Sequence, residues 1–130
     1  MKDIKTIEDA KKVIQERNID YVKVGIFDID GIFRGKYMQV EKFLNALENG
    51  FEFCDVVLGW DSNDKLYESD VTITGWHTGY NDAPVRIVPE SCRELPLEKN
   101  TLLFIGEFKG KAEQVCPRGL LKRVICSKPI

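Results

Sequence analysis

With one histidine and no Cys-x-x-Cys pair, the sequence has no spacing that would build a zinc site from Cys54, Cys92, Cys116 and Cys126. The first residues, Met-Lys-Asp-Ile-Lys-Thr, lack the apolar stretch of a secretory signal. The four thiols are therefore expected to be reduced and buried, and the chain to be cytoplasmic. No apolar run exceeds about four residues, against the roughly 20 that cross a bilayer, which argues against a membrane partner. Nineteen Lys and Arg against 21 Asp and Glu give a net charge of −2 with no basic block, which argues against nucleic acid. What remains is 130 residues, 43% of them hydrophobic, enough for one globular domain.

Thr6-Ile-Glu-Asp9 is an N-terminal capping pattern, with Asp in the place of the usual Glu. Ile7, Ala10, Val13 and Ile14 follow at helical spacing, predicting a first helix that ends near Asn18. Asp30-Gly31, flanked by apolar residues, predicts a hairpin with a two-residue type I′ turn that pairs Ile29 with Ile32 and Asp28 with Phe33. That register puts Val22, Val24, Ile26, Phe33 and Tyr37 on the core face. Lys23, Phe27, Ile29, Ile32, Arg34, Lys36 and Met38 then form a mixed outer face suited to contact with another protein.

A second helix is expected over 41–49, with Val40, Phe43, Leu44 and Leu47 as its stripe and Gly50 ending it. Residues 51–58 fit a strand or a buried helical turn equally well. Residues 59–82 hold both tryptophans and the histidine without periodicity, which marks a long loop of the functional kind. Strands are expected over 84–89, with Pro84 and Pro89 at its ends, over 92–97, and over 101–108, the last buried on both faces at its start. Pro117 opens a last helix whose Leu120, Leu121, Val124 and Ile125 have little sequence after them to cover them, so the chain reads as cut.

Two constellations suggest chemistry. Val-Gly-Ile-Phe-Asp-Ile-Asp-Gly over 24–31 resembles the first motif of the haloacid-dehalogenase-like phosphohydrolases. That resemblance implies a Mg²⁺-dependent phosphatase with Asp28 as nucleophile and Asp30 as acid/base. Ile32 stands where that family most often has Thr or Val, and no later lysine and acidic pair completes its set. The plainer alternative is an Asp-Gly turn with a solvated Asp28.

The other constellation is an order of elements. Helix, hairpin, helix, long loop and further strands make an α+β domain, a β-grasp-like mixed sheet with a helix packed across it and a hairpin near the N-terminus. Within it, Phe27-Asp-Ile-Asp-Gly-Ile-Phe-Arg-Gly-Lys36 resembles the Asp-x-x-Gly-x-x-Arg-Gly-Lys hairpin of the N-terminal β-grasp domain of glutamine synthetase and its γ-glutamyl-amine ligase relatives. Gly59-Trp-Asp-Ser62, the segment 82–89 and Cys116-Pro-Arg118 follow in that family's order.

The resemblance implies residues 1–115 as this domain and 116–130 as the start of the helix leading into a missing C-terminal catalytic domain. It further implies an ATP-dependent ligase joining ammonia or another amine to glutamate, with ATP and Mg²⁺ or Mn²⁺ held outside this chain. The fragment alone would not turn over substrate. Its part would be an acidic loop lent to a neighbouring subunit of a homo-oligomeric ring. Asp61 would bind and deprotonate the amine, with Trp60 and Ser62 as substrate contacts. The family's Phe-Asp-Gly-Ser-Ser loop has Gly after its Asp and a second Ser, and both are absent here, which leaves room for an amine larger than ammonia. A non-enzymatic β-grasp interaction module is the remaining alternative.

Overall fold

The computed structural model describes residues 3–69 and 71–127. Its elements run α1 (Ile7–Glu16), β1 (Tyr21–Phe27), β2 (Phe33–Gln39), α2 (Val40–Asn49), β3 (Phe51–Cys54), a 3-10 turn (Asp55–Leu58), β4 (Asp82–Glu94), β5 (Leu102–Phe108), a second 3-10 turn (Ala112–Gln114) and α3 (Pro117–Cys126). Five strands form one mixed sheet in the order β2-β1-β5-β4-β3, with β1 and β5 parallel from Val22 opposite Leu102 to Gly25 opposite Ile105. This is the expected α+β, β-grasp-like architecture.

By contacts the chain divides into two units. One takes in the chain up to Ile26, Gly35–Phe51 and Arg86–Gly106. Its core joins Val22, Val24, Met38, Leu102 and Phe104 of the sheet to Ala10 and Ile14 of α1 and to Phe43, Ala46 and Leu47 of α2. The Phe43 and Phe104 rings lie 4.8 Å apart, and burying a ring of that size contributes roughly 2–3 kcal/mol.

The predicted cap of α1 is present. The Thr6 hydroxyl accepts from Asp9 N–H at 3.1 Å, and the Asp9 carboxylate accepts from Thr6 N–H at 2.9 Å. Gly50, at φ +78°, ends α2 with its N–H on Ala46 C=O.

The hairpin departs from expectation by one residue. Asp28 N–H donates to Ile32 C=O at 2.9 Å and Gly31 N–H to Asp28 C=O at 3.0 Å, so the loop holds residues 29–31 and only Gly31 has positive φ. A turn followed by a left-handed Gly gives a three-residue loop in place of the two-residue one. That shift moves every β2 side chain to the other face. Met38 is consequently buried in the core beside Val22, and Tyr37 is exposed, with its hydroxyl on Glu98 at 2.7 Å. Lys23 joins the same cluster, 3.2 Å from Glu98 and over the Tyr37 ring. The mixed outer face thus loses Arg34, Lys36 and Met38 and takes on Tyr37 and Phe33, whose ring lies 5.6 Å from that of Phe27.

Both prolines lie inside β4 rather than at strand ends, and the two short strands expected there are one. Proline forfeits only a donor. Pro84 C=O still accepts from Lys109 N–H at 2.8 Å. Two residues past Pro89, Ile105 N–H is taken at 2.8 Å by the Ser91 hydroxyl, which itself donates to Val88 C=O. Residues 51–58 resolve as both readings in turn, a strand and then a 3-10 turn. β5 alternates in burial at its start and is buried on both faces only from Gly106 on.

The second unit takes in Phe27–Arg34, Glu52–Val85 and the chain from Glu107. In it the Cys116 thiol accepts from Gly119 N–H at the start of α3. The buried Glu107 carboxylate receives Arg118 at 2.6 Å and Lys122 at 2.5 Å from the same helix. Gly119 lies so near Glu113 C=O that a Cβ would come within 1.7 Å of the oxygen. The other side of α3, with Leu120, Leu121, Val124 and Ile125, is exposed as the sequence led us to expect. Residues 128–130 of the predicted 116–130 segment lie outside the described residues.

Candidate functional site

The second unit contains every candidate catalytic and substrate-contact residue named from the sequence. Asp28 is fully buried, which corrects the expectation of a solvated carboxylate. Its Oδ1 accepts from Asp30 N–H at 2.9 Å and Ile32 N–H at 2.8 Å, and its Oδ2 accepts from Arg34 Nε at 2.8 Å. Both oxygens are committed to holding the turn, and a nucleophile needs one free and accessible. The phosphatase reading of Asp28 and Asp30 is therefore not favoured.

Arg34 is the residue the sequence reading undervalued. Its Nη1 donates to Asp64 Oδ1 at 2.5 Å, and its guanidinium lies 5.2 Å from the centroid of the Trp60 ring. The paired carboxylates, Asp28 foremost, push its pKa above the ordinary arginine value. Arg34 Nη2 and Trp60 Nε1 are buried donors with no acceptor among the described residues. Only the Arg-Gly-Lys spacing hinted at Arg34, and nothing local in the sequence pairs it with residues 60–64.

Residues 59–69 and 71–81 contain no helix or strand, apart from an isolated bridge between Trp60 and Leu66. They are nonetheless ordered by specific bonds. Asp61 N–H donates to Lys65 C=O at 2.9 Å, and Asp64 N–H to Asp61 C=O at 3.0 Å. Asp61 Oδ1 accepts from Asn63 N–H at 2.8 Å and Lys65 N–H at 3.0 Å. These two amides, Lys65 foremost, hold the Asp61 carboxyl below its usual pKa. Its Oδ2 takes no hydrogen bond from a described residue, so an ionised oxygen is left available on an open loop. Ser62 is exposed at the tip of the same turn.

Tyr67 N–H reaches Gly59 C=O at 3.0 Å, which brings the phenol beside the turn. Partial burial first, and then the charges of Asp30, Asp61 and Asp28, raise the Tyr67 pKa. Gly59 is required where it is, because a Cβ there would meet Thr74 Cγ2 at 2.7 Å. Thr74 is in turn buried with its hydroxyl on Asp55 at 2.6 Å. His77 lies apart, exposed on the 75–80 turn that Thr78 closes onto Gly75. The site thus brings together Trp60, Asp61 and Ser62 with Arg34, Asp64 and Tyr67.

Among the described residues, no group of three His, Cys, Asp or Glu side chains is placed to hold a metal, and no helix is long and apolar enough to cross a membrane. No family model matches the chain.

Individual proteins do match. The chain is 43% identical over 108 residues to type-1 glutamine synthetase 2 of Dictyostelium discoideum, covering 81% of this chain and 20% of that protein. It is 33% identical over 127 residues to glutamate–isopropylamine ligase of a Pseudomonas species, covering 93% and 27%. It is 26% identical over 121 residues to γ-glutamylethanolamide synthetase GlnA4 of Streptomyces coelicolor, covering 90% and 26%. The chain therefore spans about a quarter or less of the length of these relatives.

Among solved structures, a GmaS/ADP complex aligns over 97% of this chain and 25% of its own with a TM-score of 0.64. Ligand-free GmaS aligns over 88% and 24% with a TM-score of 0.63. Both are 19% identical, a likeness that speaks for the fold. Sequence relatives and fold agree, and the chain belongs to the glutamine synthetase family.

Proposed function

We propose that this chain is the N-terminal β-grasp domain of a glutamate–amine ligase and that its 60–65 turn completes the amine site of a neighbouring subunit. In this reading residues 1–115 form the domain, and 116–130 open the connection to the catalytic domain that binds ATP, Mg²⁺ or Mn²⁺ and glutamate. The Pseudomonas and Streptomyces relatives are named for isopropylamine and ethanolamide, which supports an amine larger than ammonia.

One observation carries the proposal. Asp61 has one oxygen fixed by two backbone amides and the other without a hydrogen bond from any described residue, so the carboxylate is both oriented and kept ionised. Such a group attracts an alkylammonium ion. Its lowered pKa makes it a weak base toward that free ion, so binding and orientation are its first contributions. The ammonium nitrogen has no lone pair, so the bound ion first gives one proton to water. As the resulting amine bonds to the acyl carbon and the acyl leaving group departs, a second N–H proton becomes strongly acidic, and even a weak carboxylate base can accept it. Trp60 and Ser62 flank the free oxygen in sequence, and an aromatic face beside a cation adds attraction.

The test uses the polypeptide encoded by the whole reading frame. Asp61→Asn should lower amine-dependent ADP release by about tenfold or more at sub-saturating amine, leaving the KM for glutamate unchanged. Equal rates for the two proteins would sink the proposal.

A further inference from the structure

We infer that Arg34 is a positioning residue for the amine turn, a latch that fixes Trp60 and Asp64 to the β1–β2 hairpin. The inference rests on the amine reading of Asp61 for its functional consequence, but its structural half stands on the contacts alone.

Three features make Arg34 a latch. First, its anchor is rigid. Asp28 is fully buried and its other oxygen caps its own turn, so the carboxylate that receives Arg34 Nε cannot swing. Second, Nε and Nη1 are spent on different segments, the hairpin through Asp28 and the amine turn through Asp64. Third, the guanidinium carbon lies over the ring of Trp60, the residue next to Asp61 in the chain, 5.2 Å from its centroid.

Asp64 is the residue at φ +63° that closes the Asp61 turn, so a force on its side chain acts on the backbone that supplies the two amides to Asp61 Oδ1. Backbone hydrogen bonding between Ile29 N–H and Val57 C=O at 3.1 Å ties the hairpin turn to the stem of the same segment. The stem is thus held by backbone, but the tip is held to the hairpin through Arg34. Lysine could not replace it. A single ammonium on a flexible stem has no fixed fork to serve Asp28 and Asp64 together, and no plane to lay on indole.

Two variants separate latching from folding. Arg34→Lys removes the fork. Asp64→Asn leaves the buried Asp28–Arg34 pair whole, keeps a residue type that tolerates positive φ, and cuts only the ionic arm to the turn. In this chain carrying Trp76→Phe, Trp60 is the one remaining indole. Both variants should shift Trp60 emission and speed amide exchange at Asn63 and Lys65, by about tenfold for Arg34→Lys and less for Asp64→Asn, with α1 amides unchanged. Unaltered emission and exchange in both variants would overturn the latch, whatever the amine reading's fate.

In the whole-frame enzyme, Arg34→Lys should raise the KM for amine about tenfold with a smaller change in kcat and none in the KM for glutamate. If Asp61→Asn impairs amine use but Arg34→Lys does not, the positioning role is overturned and the amine reading survives. If Asp61→Asn is silent while the exchange rates still rise, the amine reading fails and the latch survives.

Discussion

The 28–32 and 61–65 turns are the same device built twice. In each, an Asp opens a three-residue loop, and its Oδ1 accepts from the amides two and four residues on. The backbone closes between the first and fifth residues, and the fourth sits at positive φ, Gly31 at +78° and Asp64 at +63°. Their surroundings differ. In Asp-Ile-Asp-Gly-Ile the opening Asp28 is fully buried although residues 30–32 are exposed, and its Oδ2 is consumed by Arg34. Asp-Ser-Asn-Asp-Lys has polar side chains and leaves Oδ2 open. An Asp turn is therefore no guide to chemistry by itself. The burial of the opening Asp and a basic side chain within its reach decide whether the second oxygen becomes a structural acceptor or an available charge.

The comparison breaks hardest at Asp28. Asp28→Ala removes the acceptor of two turn amides and the buried partner of the Arg34 guanidinium, and should lower unfolding free energy by about 3 kcal/mol in urea titration. Asp61→Ala, at an exposed turn, should change stability far less, and a larger loss there than at Asp28 would reverse the ranking. The next effect concerns the fourth residue. Gly31 has open space around a would-be Cβ, so Gly31→Ala meets only the backbone penalty of positive φ and should cost about 1 kcal/mol. Gly31→Asn, which gives the first turn the second turn's kind of residue, should cost less than Gly31→Ala.

The smallest effect is a titration. Because the folded carboxyl of Asp61 has a lowered pKa, the stabilisation of its turn is complete above the unfolded value of about 3.9 and is lost as pH falls through the lower folded value. The Lys65 amide resonance should titrate with a midpoint below about 3.9 and be flat in Asp61→Asn. A midpoint at or above that value would remove the link between the amides and the charge.

Features that depend on neighbours in sequence were legible. The Thr6–Asp9 box, the Gly50 stop and Pro117 at the head of α3 stand where their local chemistry put them. The hairpin was legible as a hairpin and wrong by one residue, because Asp-Gly suits both a two-residue and a three-residue loop. The Asp28 side chain, reaching Ile32 N–H, selects the longer one. Prolines 84 and 89 misled because the rule against them concerns a donor, and sequence does not say where the sheet needs one. Of the candidate site, the loop and Asp61 were visible as composition and resemblance. The Arg34–Asp64 pair was not, since residues 30 apart announce no contact by any periodicity.

The contact of Gly119 with Glu113 has a consequence at the level of the gene. Every missense change of codon 119 adds a Cβ, and that atom falls on a backbone carbonyl, which no rotamer change can clear. Mutation there strikes the start of α3 whatever the new residue. Along the same helix, Leu120, Leu121, Val124 and Ile125 face outward, where replacements cost the domain's own packing little. Within one ten-residue helix, the tolerance of the coding sequence changes abruptly between adjacent codons.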